Sequence, residues 1–156
     1  MGNDAHAITD LFETVSLGGP ERAVGFVIWR VMHRYVRAAD RALTSLGLTH
    51  LQFQTLALAA WLGRSGAPVT QVEVARAGDI APMQVSHMMK TLAAKDWIGR
   101  PRSTSDVRAK NVEVTTAGLA VLRRALPVMI EVQREVFGAA GEPGGILLNS
   151  LLQLDD

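Results

Sequence analysis

"IAPMQVSHMMKTLAAKDWIGRPRSTSDVRAKNVEVTTAG", residues 80–118, changes its period halfway along. Up to Trp97 the apolar residues keep helical spacing: Val85, Met88, Met89 and Leu92 share one side, and Gln84, Ser86, His87, Lys90 and Thr91 share the other. The second set is all hydrogen-bonding side chains with no acid among them, and Pro82 suits a first helical position, where its missing N–H costs nothing. After Trp97 the pattern alternates, so WIGRPR (97–102) and AKNVEVT (109–115) read as short strands flanking STSDV, which is rich in turn formers. The hairpin tip carries an acid and an arginine two positions apart, Asp106 and Arg108. Folding alone does not require that pair.

Working outward toward the N-terminus, TQVE (70–73) is a capping box: the Thr70 hydroxyl accepts from a backbone N–H while Glu73 reaches back. It predicts a short helix ending near Gly78. Two short helices joined by a tight turn, the second with an outward face of donors, form a helix-turn-helix whose second helix fits a DNA major groove. Before them, a helix runs from Thr49 to Leu62, apolar enough to be nearly surrounded, and GRSGAP (63–68) breaks it. From Pro20, the residues Val24, Val27, Val31, Tyr35, Ala38, Ala42 and Leu46 mark one apolar stripe of a long helix that Gly47 stops.

Toward the C-terminus, Thr115 caps a long helix in which Leu119, Leu122, Leu126, Met129, Ile130, Val136 and Phe137 keep helical spacing. Pro127 lies inside it and predicts a kink or a lost hydrogen bond. GAAGEPGG (138–145) ends this helix, and ILLNSLLQL (146–154) forms a last short one. The fold class is therefore mainly α with a small β-hairpin wing, a winged helix-turn-helix between long terminal helices. Its parts are a poorly ordered segment over 1–19, an N-terminal dimerisation helix over 20–48, the winged domain over 49–114 and C-terminal dimerisation helices over 115–156. Apolar terminal helices outside a small winged domain need a second surface to cover them, which implies a homodimer.

Composition bounds the function. At 156 residues and 48% hydrophobic content, one compact unit is expected. No cysteine is present, which excludes disulfides, thiolate metal sites and thiol redox sensing. The first 19 residues lack a secretory signal and no run of about 18 apolar residues occurs, so a cytoplasmic protein without membrane association is expected. The net charge is only +1, yet between Pro82 and Val112 six basic residues (Lys90, Lys95, Arg100, Arg102, Arg108, Lys110) face two acids. That +4 segment leaves −3 for the remainder, an asymmetry suited to a polyanion partner. Nucleophile elbows, phosphate loops, HExxH and dinucleotide fingerprints are all missing, so no enzyme is expected. The four histidines offer no i, i+4 pair, and neither a metal nor a cofactor is expected.

The stretches LGLTHLQFQTLALAAWL (46–62) and Val69–Leu122, with the closing long helix, resemble the multiple-antibiotic-resistance regulator (MarR) family over residues 24–140. The most specific part is Asp-x-Arg in the wing, followed six or seven positions later by Thr-x-x-Gly. The resemblance implies a homodimeric transcriptional regulator, more often a repressor, that binds a pseudo-palindromic double-stranded DNA operator. In such a wing Arg108 enters the minor groove or its phosphate edge, and Asp106 holds the guanidinium in position. Arginine suits that role because its planar fork is less strongly hydrated than an ammonium. Readout falls to the second helix of the pair, where Gln84, Ser86, His87 and Lys90 are the types that reach base edges or phosphates, and Arg100, Arg102 and Lys110 suit phosphate contact. Ala81 departs from the family by standing where a capping Ser, Thr or Asp is usual. Asp96 replaces the usual glycine and requires a left-handed aspartate or a different helix ending.

Family regulators often release DNA on binding small aromatic or phenolic effectors. Trp29 and His33, i and i+4, can line such a pocket with Phe53 or Trp61, although plain core packing explains the same spacing. Met83, Met88 and Met89 read as core and turn packing. The rival function is a winged-helix protein-interaction or small-molecule-binding module without DNA affinity, which the near-zero net charge permits.

Overall fold

A computed structural model of the chain describes residues 4–99 and 111–155. The chain divides into two compact units, residues 1–38 and 39–156, where one was expected.

In the first unit, helix α1 (Ala5–Val15) lies within the stretch that the sequence reads as poorly ordered, residues 1–19. The Asp4 carboxylate caps it by accepting from the His6 N–H at 3.0 Å. Ile8, Leu11, Phe12 and Val15 fall at i, i+3, i+4 and i+7, a one-sided apolar stripe, and all four are exposed. A 3-10 turn follows at Pro20–Arg22, and extended backbone at Ala23 separates it from helix α2 (Val24–Leu43). The long helix thus starts four residues later than Pro20 suggests. It continues into the second unit, where a 3-10 turn at Thr44–Leu46 and Gly47 at φ 70° close it, as the glycine predicted.

The second unit holds helices α3 (His50–Leu62), α4 (Gln71–Gly78), α5 (Pro82–Ala94), α6 (Thr116–Phe137) and α7 (Ile146–Leu152). Both α3 and α4 start on reciprocal capping boxes, Thr49 with Gln52 and Thr70 with Glu73. Leu43, Leu56, Val74, Val85, Met89, Leu92 and Met129 are fully buried, so the last turn of α2 and helices α3 to α6 share one core. Burying each such side chain contributes roughly 1.5–3 kcal/mol. Helix α3 is nearly surrounded, as expected, with only Gln54 and Trp61 exposed along it.

Strands β1 (Val69–Thr70), β2 (Ile98–Gly99) and β3 (Asn111–Val114) form an antiparallel sheet in the order β1-β3-β2. Val69 opposes Val112, and Ile98 opposes Val114, which fixes which side chains join the core. Strand β1 escaped the sequence reading, since two residues are too few to show alternation. Helix α6 runs through Pro127 to Gly138 at φ 60°. There Arg134 bonds both Glu131 and Glu142 at 2.8 Å, tying the helix end to the following loop. Among the described residues no helix is long and apolar enough to cross a membrane.

Candidate nucleic-acid interface

The turn between α4 and α5 is built on a left-handed residue. Asp79 (φ 47°) ends α4, with its N–H directed to the Ala75 and Arg76 carbonyls, and the Ile80 N–H returns to Ala75 at 2.9 Å. The chain then enters α5 at Ala81 without any side-chain cap, and Pro82 takes the first turn. The first N–H groups of α5 thus lack the side-chain acceptor that a Ser or Asp at position 81 would supply.

Inward, Val85, Met89 and Leu92 anchor α5 in the core. Outward, Gln84, His87 and Lys90 are exposed, whereas Ser86 and Thr91 are half-buried. The Thr91 hydroxyl donates to the His87 carbonyl at 3.1 Å and is already engaged. Met83 is 87% exposed and is not the packing residue expected from its type. It sits beside Gln84 in the first turn of α5, where an apolar side chain can meet a thymine methyl group. Its place directly after Pro82, ahead of the first inward residue Val85, is the signal that could have marked it.

At the base of the hairpin, Asp96 adopts the left-handed conformation (φ 58°), one of the two outcomes open to it in place of glycine. The Thr-x-x-Gly motif has a structural account. The Thr115 hydroxyl donates to the Asp96 carbonyl at 2.6 Å, its N–H donates to the Trp97 carbonyl at 3.0 Å, and its oxygen accepts from the Gly118 N–H at 3.0 Å. A single threonine therefore caps α6 and fixes the turn after α5. Lys95 donates to the Gly47 carbonyl, with its ammonium 4.8 Å from the Trp97 ring, so it is tied to the scaffold. Arg100, Arg102, Asp106, Arg108 and Lys110 lie outside the described residues.

The residues considered for an effector separate between the two units. Trp29 and His33, in the first, have ring centroids 4.2 Å apart, and His33 Nδ1 lies 2.7 Å from the Trp29 carbonyl. Trp29 is 56% exposed, which core packing within its unit does not explain. In the second unit, Phe53 is 5% exposed and belongs to the core. Trp61 instead stacks under the Arg64 guanidinium at 3.8 Å, beside a cavity of about 470 Å³ also bounded by Leu58, Leu122 and Leu126.

No protein-family model matches the chain. YdcH of Bacillus subtilis (strain 168), an uncharacterized HTH-type transcriptional regulator, is 30% identical over 122 residues, covering 78% of this chain and 83% of its own. Similar solved structures include CouR from Rhodococcus jostii RHA1 bound to p-coumaroyl-CoA, 23% identical, with a TM-score of 0.73 over 87% of this chain and 91% of that one. MarR from E. coli is 22% identical, with a TM-score of 0.64 over 85% and 94%. The M. tuberculosis regulator MOSR in complex with DNA is 25% identical, with a TM-score of 0.69 over 85% and 92%.

Proposed function

The chain belongs to the MarR family of winged helix-turn-helix transcriptional regulators, and from that premise we propose that it is a cytoplasmic homodimeric repressor that reads a pseudo-palindromic operator through α5 and its wing. The observation that carries this reading is α5 itself. One side is locked into the core by Val85, Met89 and Leu92, while Gln84, His87 and Lys90 stand exposed on the other, beside a helix start without a side-chain acceptor. A rigid helix with outward donors is what base-edge readout requires. Ser86 would contribute from its half-buried position. Arg108, steadied by Asp106, would enter the flanking minor groove, and Arg100, Arg102 and Lys110 would meet phosphates.

Dimerisation rests on α2. Val24, Ile28 and Met32 are all exposed on its N-terminal half, as are the apolar residues of α1, and water is a poor neighbour for so much apolar surface. A small aromatic effector that releases DNA has two candidate contact surfaces, the Trp29–His33 pair and the cavity beside Trp61. CouR, bound to p-coumaroyl-CoA, shows that a protein of this fold can hold a small-molecule ligand, which supports this reading.

Fluorescence anisotropy with the DNA flanking the protein's own gene tests the proposal, with random duplex as competitor. Saturable binding that survives competitor is expected, and aromatic acids screened in the same assay should include one that lowers it. Binding no tighter than to random duplex, for both that DNA and a selected sequence pool, would favour a winged-helix interaction module without DNA affinity.

A further inference from the structure

Helix α2 carries Arg30, Arg34, Arg37 and Arg41 at steps of four, three and four. At about 100° per residue, all four fall within an arc of about 60°. Val24, Ile28, Met32 and Tyr35 centre on the far side of the same helix, so covering that apolar side leaves the arginines facing outward. The helix holds one acid, Asp40, whose carboxylate accepts from the His50 N–H at 2.7 Å. Among the described residues both ion pairs belong to Arg134, so no carboxylate neutralises the stripe. Like charges four apart weaken a helix, and an unneutralised row of arginines is therefore a cost that a ligand could offset.

Beside the stripe stands the exposed Trp29 ring, 4.2 Å from His33 by centroids. Trp29, Arg30, His33, Arg34 and Arg37 line an open surface depression of about 230 Å³. A lone carboxylate is satisfied by one guanidinium fork. The three arginines from 30 to 37 extend over roughly 10 Å of helix rise, which calls for an anion with several charge centres. Guanidinium forks match phosphate oxygens, and a half-exposed indole offers a stacking face to a flat base. We infer that this face of α2 binds a nucleoside diphosphate, or a larger molecule carrying one, with the base on Trp29 and the phosphates along Arg30, Arg34 and Arg37. The inference deepens the effector reading by naming a ligand class for the Trp29–His33 surface, but it stands on the arginines and is tested without DNA.

The test is calorimetric titration of the full-length protein with ADP, and separately with inorganic pyrophosphate and with adenosine. ADP should bind once per chain and quench tryptophan fluorescence, and each half-ligand should bind at least about tenfold more weakly. An R34Q/R37Q variant should lose about tenfold or more in ADP affinity while its DNA affinity and circular dichroism stay unchanged. R37Q alone should show a smaller loss, should the double variant fold poorly. W29L should abolish the quenching and the advantage of ADP over pyrophosphate. Absence of saturable ADP binding overturns the inference, as does equal ADP affinity in wild type and R34Q/R37Q. Loss of DNA binding in R34Q/R37Q would make the stripe a DNA contact and overturn it as well. Release of DNA by an aromatic acid, together with no ADP binding, would keep the effector reading and remove only the polyphosphate.

Discussion

Gly118 packs against the backbone carbonyl of Trp97 so closely that a Cβ at position 118 would overlap the oxygen, and Val114 Cγ1 would lie 2.9 Å away. The first residues of α6 and the turn after α5 can approach this way only because residue 118 has no side chain. Alanine normally favours a helix over glycine by about 1 kcal/mol, yet Gly118→Ala should destabilise the protein by about 1–3 kcal/mol through forced overpacking. Ala117→Gly, at the exposed neighbouring position, should cost only the propensity difference. Urea midpoints measure both, and a Gly118→Ala protein as stable as wild type would show that the approach is not fixed.

The pH dependence of stability should bear the mark of His50. Burial pushes its pKa below the ordinary value, against an opposing pull from Asp40. The unfolded chain then binds the proton better than the folded one. The contribution is full above the unfolded value of about 6.5 and is lost as pH falls from there through the lowered folded value. Denaturation midpoints at neutral and mildly acidic pH should fall for wild type and fall less for His50→Gln. Equal falls would assign the acid sensitivity to other groups.

Substitutions on α5 should separate sequence readout from charge attraction. Gln84→Ala should relax discrimination at one base position by about 1–3 kcal/mol while affecting random duplex little. Lys90→Ala should weaken all sequences alike and make the salt slope shallower by about one unit per subunit. The opposite pattern, with Lys90 setting the base preference, would require a different docking of the helix.

The exposed apolar side of α2 should be an interface. Sedimentation is expected to find dimers at micromolar concentration, and Ile28→Asp should shift the population to monomer with helical content retained. A wild-type monomer under those conditions would remove the two-half-site geometry.

Local chemistry made much of this fold legible from sequence. The Thr70–Glu73 capping box and the stop at Gly47 each depend on a few neighbouring residues and stand where the sequence placed them, while Asp96 takes the left-handed one of the two outcomes open to it. What escaped depended on partners distant in the chain or on signals too short to register. Strand β1 exists because Val69 and Thr70 find β3 more than forty residues later. Lys95 counted as free positive charge until the Gly47 carbonyl came within its reach. In α1 the apolar spacing is short, and the helix start rests on the single Asp4 cap. The exposed face of α5 was readable because helical spacing separates inward from outward residues. The protrusion of Met83 was not, since methionine by type belongs inside. The roles of Arg100, Arg102, Asp106, Arg108 and Lys110 rest on sequence and family pattern.

The most direct test of the central claim is the salt dependence of operator binding by fluorescence anisotropy, wild type against Arg108→Ala. Steep, saturable binding by wild type is expected, with the variant weaker at every salt concentration and its slope shallower by about one unit per subunit. Identical affinity and slope in the two proteins would contradict the wing assignment, and with it the account of how this regulator holds DNA.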